Sequence, residues 1–114
     1  YEVFFYRTNT GYSPVEDFLD NLNDKEFEKV AWILKLITEL DRAPIEYFKK
    51  LTNTDDIWEI RVKFASKIFR LLGFIEKNNF IILTNGFVKK SQKTPKKEIL
   101  LAENRKKDYL QRSK

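Results

Sequence analysis

Residues 57–74 read IWEIRVKFASKIFRLLGF, and their alternation decides the fold. Trp58, Ile60, Val62, Phe69 and Leu71 share one face of a β-hairpin if Ala65-Ser66 is a two-residue loop. That register pairs Phe64 with Lys67, Lys63 with Ile68, Arg61 with Arg70 and Glu59 with Leu72. A slip of one residue would invert both faces, so the pattern specifies its own register. It also sets a puzzle. Like charges directly opposite in a sheet cost stability, and here Arg61 faces Arg70.

The next hairpin extends the same sheet. Residues 67–76 and about 80–88 read as strands separated by Asn78-Asn79, a dipeptide that tolerates left-handed geometry. A two-residue loop there sets Phe87 opposite Arg70, with Asn85 beside it and Lys89 near Ile68. Lys63, Arg61, Arg70, Phe87 and Lys89 then gather at one end of the sheet face turned away from the apolar side. Glu59 stands at the margin as the nearby carboxylate. Leu72, Phe74, Ile81 and Leu83 fill the rest of that face and need cover. The last helix is expected to supply it, leaving a groove alongside.

The remaining elements follow from turn and cap signals. YEVFFYR (1–7) is a strand ended by TNTG (8–11). SPVE (13–16) announces a helix, with Ser13 as N-cap, Pro14 at the first position and Glu16 closing a capping box. Phe18, Leu19 and Leu22 form its buried side. Asp24 can cap a second helix running to about Asp41. There Phe27, Val30, Ala31, Leu34 and Ile37 recur at helical spacing, widened by Ile33, Leu36 and Leu40. Ala43-Pro44 ends that helix, and residues 45–56 read as a connector with at most one helical turn. A last helix starts at Thr94-Pro95, again an N-cap followed by Pro, but with Lys97 third and so no capping box. It runs to about Gln111 with Ile99, Ala102 and Tyr109 inward. The expected order is β-α-α-β-β-β-α. This is an α+β fold with helices packed on a small, curved, mainly antiparallel sheet, read as a single domain over residues 1–114.

Composition narrows the chemistry. Of the 114 residues, 42% are hydrophobic, enough for a core. No apolar run reaches the roughly 18 residues of a membrane span. No signal-peptide pattern is read at the start, and Tyr1 is expected to follow a missing initiator. With no Cys and no His, disulfides, Cys/His zinc sites and Ser–His or Cys–His nucleophiles are excluded. A reducing, cytoplasmic setting fits that composition. Charge is polarised along the chain. Residues 1–56 carry 7 basic and 12 acidic side chains, net −5, and residues 57–114 carry 15 and 5, net +10. A half so positive suits a polyanion such as nucleic acid; a lysine-rich solubility surface is the plainer alternative.

Cations around an aromatic ring are what single-stranded nucleic acid requires, since phosphates take Arg and Lys and an unstacked base takes a ring face. Lys63, Phe87 and Asn85 are candidate RNA contacts on the sheet. KKSQKTPKK (89–97) adds Lys93 and Lys96 just before a helix N-terminus, where free N–H groups also attract phosphate. Arg61 and Arg70 are the candidate phosphate contacts beside them. The plainer reading makes Arg61 and Arg70 ordinary strand residues, one of them neutralised by Glu59. On the functional reading, the arriving anion relieves their mutual repulsion.

Taken together, IWEIRV, IFRLLGF and TNGFVKKSQKTPKKEI resemble the RelE/HigB superfamily of bacterial toxins, in particular its phage-associated, HigB-like branch, and SPVEDFLDNL (13–22) is similar as well. The resemblance spans nearly the whole chain. It implies a toxin of a type II toxin–antitoxin pair, a ribosome-dependent endoribonuclease that cuts messenger RNA. It implies a helix-turn-helix, HigA-like antitoxin as partner; the acidic first half, or an exposed apolar patch that buries a helix, is where binding is expected. By the same resemblance Arg70 is the arginine that contacts the scissile phosphate, with Arg61 and Lys63 before it and Lys89 and Lys90 after it. Some relatives carry a His or a late Tyr at the site; this chain has no His, and Tyr109 lies far along the last helix. For the cleavage so implied, Arg70, Arg61, Lys89, Lys90 and Glu59 are the catalytic candidates. RNA brings its own nucleophile, the 2′-OH, so the step would need no metal and no cofactor, only alignment and stabilisation of charge on phosphorus. Arg70 and Arg61 suit the stabilising role, Glu59, Lys63 or Lys89 could serve as base, and Lys90 or Lys93 as acid. The alternatives are a basic RNA-binding protein without turnover, a ParE-like gyrase inhibitor, or a structural phage component.

Overall fold

The structure, a computed structural model, describes residues 1–39, 46–89 and 93–113. In chain order its elements are β1 (Glu2–Phe5), α1 (Pro14–Asp20), α2 (Asp24–Glu39), β2 (Phe48–Lys50), β3 (Trp58–Phe64), β4 (Lys67–Glu76), β5 (Phe80–Lys89) and α3 (Lys96–Arg112). They build an α+β fold on one five-stranded sheet in the order β1-β5-β4-β3-β2. The strand β1 runs parallel to β5 and every other pairing is antiparallel.

The β3–β4 hairpin forms in the register its alternation requires, from Phe64↔Lys67 through Arg61↔Arg70 to Glu59↔Leu72. Its apolar face meets α1 and α2, where Val15, Leu19, Val30, Ile33 and Ile37 pack on Ile60, Val62, Phe69 and Leu71. The other face lies under α3. Leu72 and Ile57 meet Ala102 there, flanked by Ile99 and Phe87, and Phe74 and Ile82 join Tyr6 and Tyr109.

The β4–β5 hairpin differs from the expectation near its tip. Glu76 pairs with Phe80, so the loop is Lys77-Asn78-Asn79, three residues rather than two. Lys77 and Asn78 take left-handed φ values of 53° and 69°. A bulge between Leu72 and Gly73 absorbs the extra residue and restores Arg70↔Phe87 and Leu72↔Asn85. Because one residue of shift reverses the side-chain parity, Ile81 and Leu83 belong to the core under α1 and α2, not to the face under α3.

Other differences are local. Residues 48–50 of the expected connector form β2, which pairs Phe48↔Ile60 on the edge of β3. Asn23, not Asp24, caps α2: its side chain accepts from the Glu26 N–H at 2.8 Å while Glu26 accepts from the Asn23 N–H at 3.1 Å, a reciprocal capping box. Ser13 caps α1 as its sequence demands, accepting from the Glu16 N–H, but the Glu16 carboxylate pairs with Arg7 at 2.9 Å. In α2 the core stripe is narrower than the pattern suggests, with Phe27 44% exposed and Ala31 exposed. The Ala43-Pro44 stop signal and the end of α2 near Asp41 lie outside the described residues.

Two measurements test this architecture. A Cβ added at Gly73 would press into the Ile82 carbonyl across the bulge, where backbone cannot give way. Gly73→Ala is therefore expected to lower unfolding free energy by roughly 3 kcal/mol in chemical denaturation, the upper range for overpacking. Glu26 also pairs with Lys67 at 2.8 Å. That bond, followed by the one to the Asn23 N–H, holds its carboxyl below the ordinary 4.5. A folded pKa below the unfolded one gives stability that is present above the unfolded value and is lost as pH falls through the folded value. Glu26→Gln should therefore flatten the acid limb of the urea midpoint below about pH 4.5, while leaving its temperature dependence at pH 7 similar in shape.

Candidate nucleic-acid interface

Three neighbouring strands bring the central residues into one row. Arg61 of β3 faces Arg70 of β4, and Arg70 faces Phe87 of β5. Lys63 stands opposite Ile68 and is exposed. Arg61 is half-buried, and its N–H donates to the Tyr47 carbonyl at 2.8 Å. The sequence-derived register of the row is the observed one.

The surroundings of Arg70 answer the opening puzzle. Its side chain is 1% exposed, and so is that of Glu59. Arg70 Nη1 donates to Glu59 Oε1 at 3.0 Å and to Oε2 at 2.9 Å. A buried carboxylate thus stands diagonally across the hairpin and offsets the like-charge contact between the arginines. Thr94 completes the group: its hydroxyl donates to Glu59 Oε2 at 2.5 Å and lies 3.4 Å from Arg70 Nη1. Thr94 was expected to cap α3. Instead Pro95 occupies the N-cap position without a side-chain bond, and the hydroxyl is committed to Glu59. The segment entering α3 is thereby latched onto the ion pair.

The other candidate residues divide between surface and scaffold. Asn85 is 3% exposed. Its Nδ2 donates to the Glu98 carbonyl and to Glu98 Oε1 at 3.3 and 3.0 Å, while its Oδ1 accepts from Thr84 at 2.6 Å. Asn85 thus ties β5 to the first turn of α3. Phe87 is half-buried against the cluster of Ile57, Leu72 and Ala102. Lys93 and Lys96 are exposed beside the N-terminus of α3. The backbone of Lys89 pairs with Ile68; its side chain and the whole of Lys90 lie outside the described residues. Tyr109 donates to Glu76 at 3.0 Å at the hairpin-tip end of β4, and burial pushes its phenol pKa up. Among the described residues, no three acidic side chains gather where a metal could sit.

Three features have no local signal in the sequence. Thr94 looked like a cap, and no local signal ties it to Glu59, 35 residues earlier. A cleft of about 280 Å³ opens beside Arg61 and Lys63, bounded by Lys29 and Ile33 of α2 and by Glu46 and Tyr47. On the side of the molecule formed by α1, α2 and β1 lies a second groove, of about 460 Å³ and mainly apolar. Phe5, Leu19, Phe27 and Leu34 line it, and Glu16 and Asp20 sit at its rim. No helix among the described residues is long and apolar enough to cross a membrane.

The buried pair makes a stability prediction. Removing one partner strands a charge in the interior, which costs about 3–5 kcal/mol, whereas removing both costs far less. Glu59→Gln should therefore destabilise the protein strongly. Glu59→Gln combined with Arg70→Gln should recover much of that loss, and Thr94→Val alone should cost about 1 kcal/mol. A double-mutant cycle in urea reads all three.

Comparison with known proteins gives one family. The family model for phage-derived protein Gp49-like (DUF891) matches residues 17–107, from α1 to the last turns of α3. No curated protein matches the chain.

Proposed function

The chain belongs to the phage-derived Gp49-like family, a family of RelE/HigB-like toxins, and on that premise we propose that it cuts messenger RNA on the ribosome. In this reading it is the HigB-like toxin of a type II pair acting in the cytoplasm, and its mechanism is metal-independent. The observation that carries the proposal is the row Arg61, Arg70 and Phe87 across three adjacent strands, with Lys63 exposed beside it. Two guanidinium groups and a ring at that spacing suit one ribose-phosphate link and its base.

The latch on Arg70 shapes the mechanism. In the free protein both Glu59 oxygens hold Arg70 Nη1, a donor that a phosphate would use. Substrate binding exchanges one oxyanion for another on Arg70, a substitution that keeps the guanidinium paired throughout. The freed Glu59 carboxylate then takes the proton from the 2′-OH. That oxygen bonds to phosphorus, the bond from phosphorus to O5′ breaks, and a lysine of the 89–97 segment protonates O5′. The products carry a 2′,3′-cyclic phosphate and a 5′-OH. Arg70 and Arg61 stabilise the charge that builds on the phosphoryl oxygens, each contact worth a few kcal/mol.

The family implies a cognate antitoxin. We assign it a HigA-like, helix-turn-helix protein that lays an apolar helix in the groove between α1, α2 and β1, where Glu16 and Asp20 meet basic side chains.

A second reading is favoured by one fact, the closed Arg70–Glu59 pair: the basic surface binds RNA, or blocks gyrase, without turnover. Primer extension on translated message separates them. Wild-type expression should produce new message ends. Arg70→Lys keeps the charge beside Glu59 but loses the planar fork, and Arg61→Ala removes the second cation; each should lower cleavage by roughly 100-fold. Intact message with arrested growth, or with blocked supercoiling, would overturn the ribonuclease.

A further inference from the structure

We propose that the cleft between α2 and the end of β3 is a second RNA subsite, in which Lys29 and Tyr47 hold the nucleotide next to the scissile link. The inference takes its ligand from the ribonuclease reading. The cleft shares Arg61 with the row that holds Arg70 and contains none of the latch residues Arg70, Glu59 and Thr94.

The cleft has the size and lining for one nucleotide. It measures about 280 Å³ and brings together Lys29, Ile33, Glu46, Tyr47, Arg61 and Lys63. Three cations and one carboxylate line it, a formal excess of two positive charges in a concave space, where such charge attracts a polyanion best; Lys29 Nζ also lies 5.4 Å from the centre of the Trp32 ring. The cations come from two elements: Lys29 rises from α2, and Arg61 and Lys63 project from β3. The sheet ends there in a step. Pairing of β2 with β3 begins at Phe48↔Ile60, and the Arg61 N–H bonds the Tyr47 carbonyl. That bond fixes Tyr47 beside Arg61.

Tyr47 offers the second chemistry. Its ring is half-buried and packed on the α1–α2 core, so it is held by neighbours while still lining the cleft. A ring anchored in this way loses little freedom when a base stacks on it. Arg61 belongs both to this cleft and to the row with Arg70. A strand of RNA whose phosphate lies on the two arginines therefore has its neighbouring nucleotide over Tyr47 and the neighbouring phosphate within reach of Lys29. Free dinucleotides or acidic peptides would find the same charge, but the ring beside it favours a nucleic-acid base. Recognition here is by backbone and stacking, so it carries little base preference.

The test is equilibrium binding of a fluorescent, uncleavable 2′-O-methyl RNA decamer, followed by anisotropy over a range of salt. Tyr47→Ala should weaken binding about tenfold with an unchanged salt slope, and Tyr47→Phe should bind like wild type. Lys29→Ala should weaken binding and reduce the log–log salt slope by about 0.7, the loss of one phosphate contact on a single strand. Lys35→Ala, elsewhere on α2, serves as the control with wild-type affinity. Wild-type affinity and slope in both Tyr47→Ala and Lys29→Ala would overturn the subsite, as would equal losses in Lys35→Ala. Because the decamer cannot be cut, a wild-type protein that leaves translated message intact overturns the ribonuclease reading alone. The binding result then still decides this cleft.

Discussion

The structure depends on one buried ion pair. Arg70 and Glu59 are both 1% exposed and joined through two short contacts, and Thr94 clamps the pair from the segment leading into α3. A charge so placed cannot lose its partner cheaply. Three things are consequently fixed together: the β3–β4 register, the tolerance of two opposed arginines, and the seat of the last helix. The same burial changes what Arg70 can do. A solvated arginine attracts anions from a distance, whereas a buried, paired one acts only by exchanging oxyanions. Long-range attraction of anions then falls to exposed cations such as Lys63, Lys93 and Lys96, and on the proposed function Arg70 acts after they have brought the ligand close.

The bulge beside Gly73 is the second constraint, because β5 must serve two masters. Toward its start Ile81 and Leu83 face the core under α1 and α2, yet further along Phe87 must stand with Arg70. A strictly alternating strand could not do both in the observed register, and one extra residue lets it. Side chains reach the carbonyls at that irregularity. The Thr84 hydroxyl shares its one proton between Asn85 Oδ1 at 2.6 Å and the Leu72 carbonyl at 3.1 Å, and Arg105 of α3 donates to the Thr84 carbonyl at 2.8 Å. Arg105 and Asn85 together dock α3 at the bulge, so the irregular point of the sheet is also where the covering helix is anchored.

Much of this was legible in the residues. The β3–β4 hairpin was readable because its two faces differ so sharply that only one register buries Ile60, Val62, Phe69 and Leu71. Ser13-Pro14 located α1 through local chemistry alone. What stayed hidden depended on distant partners. The loop at Asn78-Asn79 was misjudged by one residue because Lys77, an ordinary residue, adopts the left-handed conformation there. The three residues of β2 lack a pattern long enough to show a period, and they are a strand only because β3 offers an edge. Glu59 was placed correctly at the margin of the arginines, but nothing in the chain marks it as buried, since that follows from the cover given by α3 and Thr94. The family match over residues 17–107 adds the toxin class to this reading and leaves the chemistry of the site to be argued from the side chains.

The polarity of charge along the chain becomes a polarity in space. The acidic residues Glu16, Asp17, Asp20, Asp24, Glu26 and Glu28 lie on α1 and α2 and outnumber Lys25, Lys29 and Lys35 there, whereas Arg61, Lys63, Lys93 and Lys96 lie on β3 and around the start of α3. A molecule with such a dipole is turned by the field of a large polyanion before it makes contact, presenting its cationic end first. The orientation depends on salt through screening, but it needs no contact with any particular base. The acidic end, with its apolar groove, is by the same rotation turned away from the polyanion. On the proposed function, an antitoxin bound there adds to or cancels the dipole according to its own charge, and so alters the approach to RNA without touching Arg70. On that proposal, the cationic cleft and the apolar groove separate two jobs that a chain of this size would otherwise have to perform on the same surface.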